Sequence, residues 1–217
     1  MGDKAEQRAY SFEIRAEETE QGNIITGRPI VYSSVTDLGY FDEVIDRGAL
    51  DGADLTDVRF LVNHDTSRIP LARSRRNNGN STMHLMVDQE GMAIRVTLDT
   101  ENNSEARSLY SAVKRGDISG MSFMFYVDGE EWENLDTDHP TRRIKSIGSV
   151  IEVSAVTFPA YSSTEINARN KDALDSARST VETARQRSAE SVETDIPNNE
   201  LEVLKEKTKI LGGKRNA

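Results

Sequence analysis

The chain has 217 residues, of which 36% are hydrophobic, 29% are charged and none is cysteine, and its formal net charge is −10. This length allows one domain with a substantial core and a tail besides. The acidic balance argues against a nucleic-acid partner, whose phosphates need clustered Lys and Arg, and the lack of cysteine excludes a disulfide framework, a Cys nucleophile and a Cys-ligated zinc site.

Targeting signals are not evident in the sequence. No stretch approaches the roughly eighteen apolar residues that a membrane helix needs, and the first residues lack the apolar core of a signal peptide. A chain without cysteine also suits a reducing compartment. We therefore expect a soluble, intracellular protein without a membrane partner.

Most of the chain before residue 168 alternates apolar and polar residues, as half-buried β-strands do. In chain order, strands are predicted at 10–14, 23–31, 58–64, 83–87, 92–98, 120–127, 143–147 and 149–157. Gly27 and Pro29 indicate a bulge or bend in the second of these strands. A hairpin turn is predicted at 89–91, between the fourth strand and the fifth.

One helix is predicted between the fifth strand and the sixth. Ala106, Leu109, Tyr110 and Val113 follow the i, i+3, i+4, i+7 pattern, a capping Asn or Ser precedes them, and Gly116 follows them. A shorter helix or turn is predicted at 46–50. Many strands, few helices and no βαβ order favour a mainly-β fold of the α+β class, a β-barrel or sandwich with helical additions.

A change of composition near residue 168 divides the chain. All aromatic residues lie at or before Tyr161, and the segment 169–217, here called the C-terminal tail, is rich in Ala, Ser, Thr, Glu, Lys and Arg. Its apolar surface is too small to offset the entropy of ordering, so we predict a domain over 1–168 and an acidic, polar tail that is mobile or partly helical. Helical patches are predicted at 172–192 and 199–211; a solvated linker is the alternative.

The chain has three histidines, and His64 has the most suggestive position. It ends the run 58–64 on the parity of Val58 and Phe60, which predicts a partly desolvated ring reachable from a strand end, as a general base near neutral pH requires. A hydrogen-bonded core histidine is the alternative. His84 has the parity opposite to its apolar neighbours and His139 lies in a polar loop, so both are predicted at the surface.

Ser122 and Glu152 are further candidates for a chemical role. Ser122 follows Gly120 on the same strand face, which leaves room for a substrate backbone. Glu152 is a charge within an apolar β run, and orienting a base histidine is one task that places a carboxylate there. A satisfied buried hydroxyl and an edge-strand charge that discourages pairing are the respective alternatives. No GxSxG elbow is present, so the residues alone leave catalytic and structural roles open.

Four blocks of the sequence, in order, carry a resemblance to a known family. They are 40–50 (YFDEVIDRGAL), 58–65 (VRFLVNHD), 116–123 (GDISGMSF) and 151–160 (IEVSAVTFPA). Together they resemble the tailed-phage prohead proteases, the serine proteases of capsid maturation, over about residues 10–168. The resemblance implies a fold similar to that of the herpesvirus assemblins, a β-barrel with a few flanking helices.

The resemblance also implies a serine endopeptidase that needs no cofactor and no metal. By position, Ser122 is the implied nucleophile, with Ser119 as the alternative; His64 is the implied general base and Glu152 the third member. The implied substrates are the scaffolding protein or the scaffold domain of the major capsid protein, and the protease itself, inside the immature capsid in the host cytoplasm. Assemblins are active as dimers, so a homodimer is possible.

Two departures from the family pattern concern the oxyanion site. Met124 and Phe125 replace a Gly–aromatic pair after the serine, and the glycine that often follows the histidine is missing. Backbone N–H groups near Ser122, or a loop with Arg142 and Arg143, are the candidate oxyanion donors. The alternative function is a non-catalytic β module, or a fused scaffold that binds capsid protein during assembly.

Overall fold

The computed structural model describes residues 5–10, 14–20, 22–157 and 164–194. The chain divides into two compact units, Met1–Lys171 and Asp172–Ala217. The strands are β1 (Glu6–Tyr10), β2 (Ile14–Thr19), β3 (Gly22–Val31), β4 (Val35–Asp37), β5 (Asp42–Ile45), β6 (Asp57–Val62), β7 (Ala72–Arg75), β8 (Met83–Asp88), β9 (Gly91–Leu98), β10 (Gly120–Glu133) and β11 (Thr141–Val156). The helices are α1 (Ser104–Arg115) and α2 (Thr164–Thr194). The mainly-β fold predicted from the sequence is confirmed.

The larger sheet contains seven of the described strands and is built around a long hairpin. β10 and β11 pair antiparallel, with Ser122 opposite Ser154 and Met124 opposite Glu152. β1 pairs antiparallel with the other edge of β10. β5 and β6 both pair parallel with β11, one near its start and one near its end. β4 and β7 extend the sheet as antiparallel partners of β5 and β6.

The smaller sheet has the order β2-β3-β9-β8, with antiparallel pairing throughout. The predicted bulge is present, because the register of β3 against β9 shifts between Gly27 and Ile30. Gly91 begins β9 with a φ of 139°, and a Cβ at this position would lie 2.0 Å from the Ile30 carbonyl oxygen. Only glycine fits where the hairpin turn approaches β3 so closely.

The helix α1 forms as its sequence predicts. Asn103 caps it, accepting hydrogen bonds from the backbone N–H groups of Glu105 and Ala106, and Gly116 ends it in the left-handed conformation. The four apolar residues at helical spacing are its buried residues: Ala106, Leu109, Tyr110 and Val113. This apolar face attaches the helix to the core of the first unit.

One hydrophobic cluster contains buried side chains from both sheets and from α1. Ile25 and Met92 represent the smaller sheet in it, and Phe60, Phe123 and Val153 the larger one; all five are fully buried. Among the described strands, the two sheets are hydrogen-bonded separately and do not close into one barrel. The core therefore couples two sheets that share no strand pairing.

The second unit is described only as far as residue 194. Its helix α2 includes the predicted helical patch 172–192. The other predicted patch, 199–211, lies outside the described residues, and the domain boundary at residue 168 stays a prediction. Neither of the two described helices is long and apolar enough to cross a membrane.

Candidate active site

The chain turns immediately after β6, and His64 lies on this turn. β6 ends at Val62, and Asn63 and His64 follow with positive φ angles of 51° and 59°, a conformation in which Asn and His are enriched among non-glycine residues. The Asn63 N–H donates to the Ala155 carbonyl at 3.0 Å and so fastens the turn to β11. The prediction that His64 continues the row of the strand is wrong, because β6 ends two residues earlier, yet the His64 side chain is only 17% exposed.

Glu152 lies on β11, between β10 and β6, and its side chain is fully buried. Its Oε1 is 2.5 Å from Nδ1 of His64. Its Oε2 accepts a hydrogen bond from Ser154 Oγ at 2.6 Å, and Ser154 Oγ accepts one from the His64 backbone N–H at 3.1 Å. Because β11 is paired on both sides here, the interpretation of Glu152 as an edge-strand charge is wrong.

The bond between His64 and Glu152 determines which ring nitrogen is available for chemistry. An ionised carboxylate only accepts hydrogen bonds, so Nδ1 of His64 carries the proton. In the neutral ring, Nε2 then has a lone pair and can accept a proton. A carboxylate that holds a histidine in this tautomer is what the acid and base of a catalytic triad require of each other.

Ser122 lies on the neighbouring strand, directly opposite Ser154. Residues paired in this way point to the same face of a sheet, so Ser122 shares a face with Ser154 and Glu152. The Ser122 side chain is fully buried, and its Oγ donates a hydrogen bond to the Arg8 carbonyl of β1 at 2.8 Å. Among the described residues, no hydrogen bond joins Ser122 to His64; Ser154 stands between them.

The other candidates lie apart from the pair of His64 and Glu152. Ser119 precedes β10 and is exposed. His84 is on β8 in the smaller sheet. His139 is exposed, 3.2 Å from Asp42, and forms with Asp42 and Asp37 an exposed group whose possible ligand atoms lie within 4.8 Å of one another. Of the three histidines, His64 is the one bonded to a fully buried acid.

A second group of charged side chains is buried between β1, β5, β10 and β11. This arginine cluster consists of Glu6, Arg8, Glu43, Glu130 and Arg142. Glu43, fully buried, accepts from Arg8 through both carboxylate oxygens, at 2.5 Å from Nε and 2.7 Å from Nη2. Arg142 donates to Glu43 at 3.1 Å, to Glu6 at 2.7 and 2.8 Å, and to Glu130.

Attraction outweighs burial in the arginine cluster. Burial opposes the charged form of Arg8, but Glu43 and then Glu6 raise the pKa of Arg8 above its ordinary value. Burial likewise opposes the charge on Arg142, and its bond to Glu6 is the strongest of the causes that raise its pKa. For Glu6, burial alone would raise the pKa, but Arg142 and Arg8 lower it overall. All three groups are therefore charged at neutral pH.

The two arginines proposed as oxyanion donors are already paired. Arg142 belongs to the arginine cluster, where three carboxylates surround it. Arg143 donates to Asp46 and Glu133 at 2.5 and 2.7 Å. Both also lie at the start of β11, whereas Glu152 lies near its end. Their pairing argues against an oxyanion role and leaves backbone N–H groups near Ser122 as the better candidates.

An open cavity of about 500 Å³ adjoins the turn that carries His64. Asn63 and Asp65, on either side of His64, contribute to its wall, and apolar side chains of β6 and α1 form much of the rest. Arg68 and Glu105, which are bonded to each other, stand at its rim. The cavity offers apolar surface beside the base that a bound chain can cover.

Sequence reasoning did not find Ser154 or the partners in the arginine cluster. Ser154 follows Glu152 by two residues, so strand periodicity alone puts both on one face, and this signal was available. The partnership of Arg8 with Glu43 had no local signal, because it depends on the pairing of β1 with β10. Long-range contacts of this kind follow from topology.

A buried carboxylate that orients a histidine, beside a buried serine on a mainly-β scaffold, defines a candidate serine hydrolase. The chain belongs to the caudovirus prohead serine proteases, since the family model with this description matches residues 10–178. That match covers all three residues of the candidate site.

Two individual proteins are similar to this chain. The prohead protease of Enterobacteria phage HK97 is 30% identical over 123 residues, which make up 56% of this chain and 49% of that protein. The aligned part thus spans about half the length of that relative. The structure of the bacteriophage T4 capsid assembly protease matches with a TM-score of 0.43 and 10% identity, covering 73% of this chain and 100% of that one.

Proposed function

We propose that this chain is a serine endopeptidase of phage prohead maturation, with Ser122 as nucleophile, His64 as general base and Glu152 as third member. The observation that carries the proposal is the 2.5 Å bond between His64 Nδ1 and the fully buried Glu152. A buried carboxylate is costly unless it is paired, and this one has both oxygens engaged. Its partners, His64 and Ser154, adjoin the strand that carries Ser122.

The reaction is acyl transfer in two steps. Nε2 of His64 takes the Oγ proton of Ser122 as Oγ bonds to the scissile carbonyl carbon, and Glu152 stabilises the imidazolium that forms. The imidazolium gives the proton to the leaving amine, which departs with the C-terminal product. Water, deprotonated by the same nitrogen, then hydrolyses the ester to a carboxylate and frees Ser122.

The proposed substrates follow from membership in the family. They are the scaffolding protein or the scaffold domain of the major capsid protein, and the protease itself, cleaved inside the immature capsid in the host cell. An acidic chain with a formal net charge of −10 does not compete for packaged DNA, since like charges repel. No cofactor, metal, nucleic acid or membrane enters the proposed reaction.

The proposal retains the assemblin-like barrel as the ancestral form of the fold. In support, the serine and the glutamate lie on adjacent antiparallel strands, and the histidine follows a strand that pairs with the second of them. Whether two chains associate is part of the same proposal, because assemblins are active as dimers. Sedimentation of the purified chain measures this directly.

A second function is favoured by one observation. The Ser122 hydroxyl is bonded to the Arg8 carbonyl, and among the described residues it has no bond to His64. A non-catalytic β module, or a scaffold fused to an inactive domain, would tolerate this arrangement. Such a protein binds capsid protein and keeps an intact mass of 24.2 kDa, whereas a protease slowly trims itself.

The test is the Ser122→Ala variant, co-expressed with the capsid and scaffolding proteins of the same phage. We expect cleavage to disappear from the particles, because the residual rate without a nucleophile is lower by a factor of about a million. Gel electrophoresis and mass spectrometry of the particles detect the products. Circular dichroism of the purified variant checks that the fold is intact.

Ser119→Ala is the matched control, since it removes a hydroxyl three residues away at an exposed position. It should process the particles as the unmodified chain does. Complete processing by Ser122→Ala would contradict the proposal. Loss of processing with Ser119→Ala alone would move the nucleophile to that residue.

A further inference from the structure

The strand β1 covers Ser122. It pairs antiparallel with the edge of β10, placing Ala9 opposite Ser122 and Arg8 opposite Phe123. An edge strand binds an extended chain through its free backbone groups, and β1 uses that edge of β10 from Met121 to Phe125. The fully buried Ser122 side chain lies beneath this contact.

β1 also presents a peptide carbonyl to the serine hydroxyl. The Arg8 carbonyl oxygen accepts the hydrogen bond of Ser122 Oγ at 2.8 Å. A scissile carbonyl must come within about 3–3.5 Å of its nucleophile, so a backbone carbonyl occupies the neighbourhood that a substrate needs. β1 precedes all but the first of the residues, 10–178, that match the family model.

The side chain of the same residue occupies a pocket. The Arg8 guanidinium is bound by both oxygens of Glu43, which is fully buried. This two-bond geometry is the arrangement that arginine makes with a carboxylate and that lysine cannot reproduce. One residue of β1 thus offers both a carbonyl to Ser122 and a cation to Glu43.

The pocket is suited to a cation when β1 is absent. Glu6 and Arg8 both belong to β1 and leave with it. What remains of the arginine cluster is Glu43, Glu130 and Arg142, two carboxylates against one guanidinium, a net charge of −1. A buried site with an unpaired negative charge favours one positive side chain and rejects a neutral or negative one.

We infer that β1 occupies the substrate's place: the substrate binds as an antiparallel strand on β10, with an Arg or Lys side chain on Glu43 and the carbonyl of that residue at Ser122. This inference rests on the proposed function and names the substrate feature that the site recognises. Glu43 is the specificity-determining residue, cleavage follows the basic residue, and β1 competes with the substrate within the same molecule.

The first experiment uses a peptide with the sequence of residues 3–13, DKAEQRAYSFE, labelled with a fluorophore and a quencher. We expect the full-length chain to cut it after the arginine, and mass spectrometry identifies the products. Replacing that arginine by glutamine should lower kcat/KM by about ten- to a hundredfold, the value of a buried charge-assisted pair. Lysine should be intermediate and glutamate the poorest.

The second experiment makes the same change in the enzyme. Arg8→Gln in the full-length chain weakens the internal competitor, so kcat/KM for the arginine peptide should rise. A purely structural β1 predicts the opposite, because losing Arg8 would destabilise the fold around the serine. Arg107→Gln, at an exposed position of α1, is the control and should leave the rate unchanged.

The third experiment tests the pocket. Glu43→Gln should remove most of the preference for arginine over glutamine, whereas Glu130→Gln, which changes the charge equally but does not contact Arg8, should retain it. If both variants lose the preference equally, Glu43 is not the specificity-determining residue. The peptide series with the unmodified chain does not depend on the folding of either variant.

Binding separates this inference from the proposed function. Anisotropy of labelled peptides on the chain with Ser122→Ala and Arg8→Gln measures docking without chemistry. Arginine-dependent binding without any cleavage by the unmodified serine would support the docking site and overturn the protease. Cleavage without a preference for a basic residue would do the reverse. A chain that neither binds nor cuts the arginine peptide in preference to the glutamine peptide overturns the inference.

Discussion

The larger sheet buries two charged groups, and they differ in how completely they are paired. In the arginine cluster, Glu43 and Arg142 are nearly inaccessible and each is bonded to two or more opposite charges. At the candidate site, Glu152 is just as buried, but its partner His64 is partly exposed and has one ring nitrogen committed and one available.

This difference separates a group that holds strands together from a group that can do chemistry. Arginine stays charged at any physiological pH, so the arginine cluster can only be made or broken as a whole. Histidine can gain and lose a proton near neutrality. The connection between the two groups is Arg8, whose side chain belongs to the first and whose carbonyl touches Ser122 of the second.

The largest effect should come from Glu152→Gln. The amide can donate to Nδ1 and so favours the tautomer with the proton on Nε2, which cannot accept the Ser122 proton. We expect kcat/KM for processing to fall by about 10³–10⁴ with little loss of folded protein. Glu101→Gln, an exposed acid, is the control. A fall of less than tenfold would remove Glu152 from the proposed triad.

Glu43→Ala should have the largest effect on stability. It leaves the guanidinium groups of Arg8 and Arg142 buried with a partner missing, and breaking a buried ion pair costs about 3–5 kcal/mol. Urea unfolding measures this loss. Asp117→Ala, which removes the exposed partner of Arg115, should cost less than about 1 kcal/mol. Equal losses in the two variants would show that the arginine cluster is not special.

Ser154→Ala should have an intermediate effect. Ser154 touches no substrate in the proposed reaction and acts by positioning His64 and Glu152, so we expect kcat to fall by about ten- to a hundredfold with KM unchanged. Ser154→Thr keeps the hydroxyl and should recover much of the rate. Unfolding in urea reports the structural cost separately. A rise in KM alone would mean that Ser154 shapes substrate binding.

Acid should have the smallest effect, and it should act on β1. The pKa of Glu6 is lowered below its ordinary value of 4.5 in the folded chain. Its stabilising contribution is therefore complete above pH 4.5 and is lost as the pH falls through the lower, folded value. Amide exchange at Arg8 and Ala9 should accelerate below pH 4.5. In Glu6→Gln this acid-dependent acceleration should be weaker; an unchanged pH profile would exclude Glu6 as its origin.

The comparison of the two groups also separates what the sequence reveals from what it hides. The helix α1, its caps and the turn before β9 were predictable, because each depends on residues close together in the chain. Ser122, His64 and Glu152 were identifiable only as members of four ordered blocks. Their individual surroundings gave structural and catalytic interpretations equal standing.

Tertiary structure decided the rest. The turn that takes His64 out of its strand depends on bonds to β11, and the pairing of Arg8 with Glu43 depends on β1 reaching β10. Local pattern cannot predict such pairings, because their free energy comes from groups far apart in sequence. The sequence by itself therefore determined the family, the class of fold and three site residues. Only the folded chain joined His64 to Glu152 and put a peptide carbonyl on Ser122, since burial and charge pairing act through space.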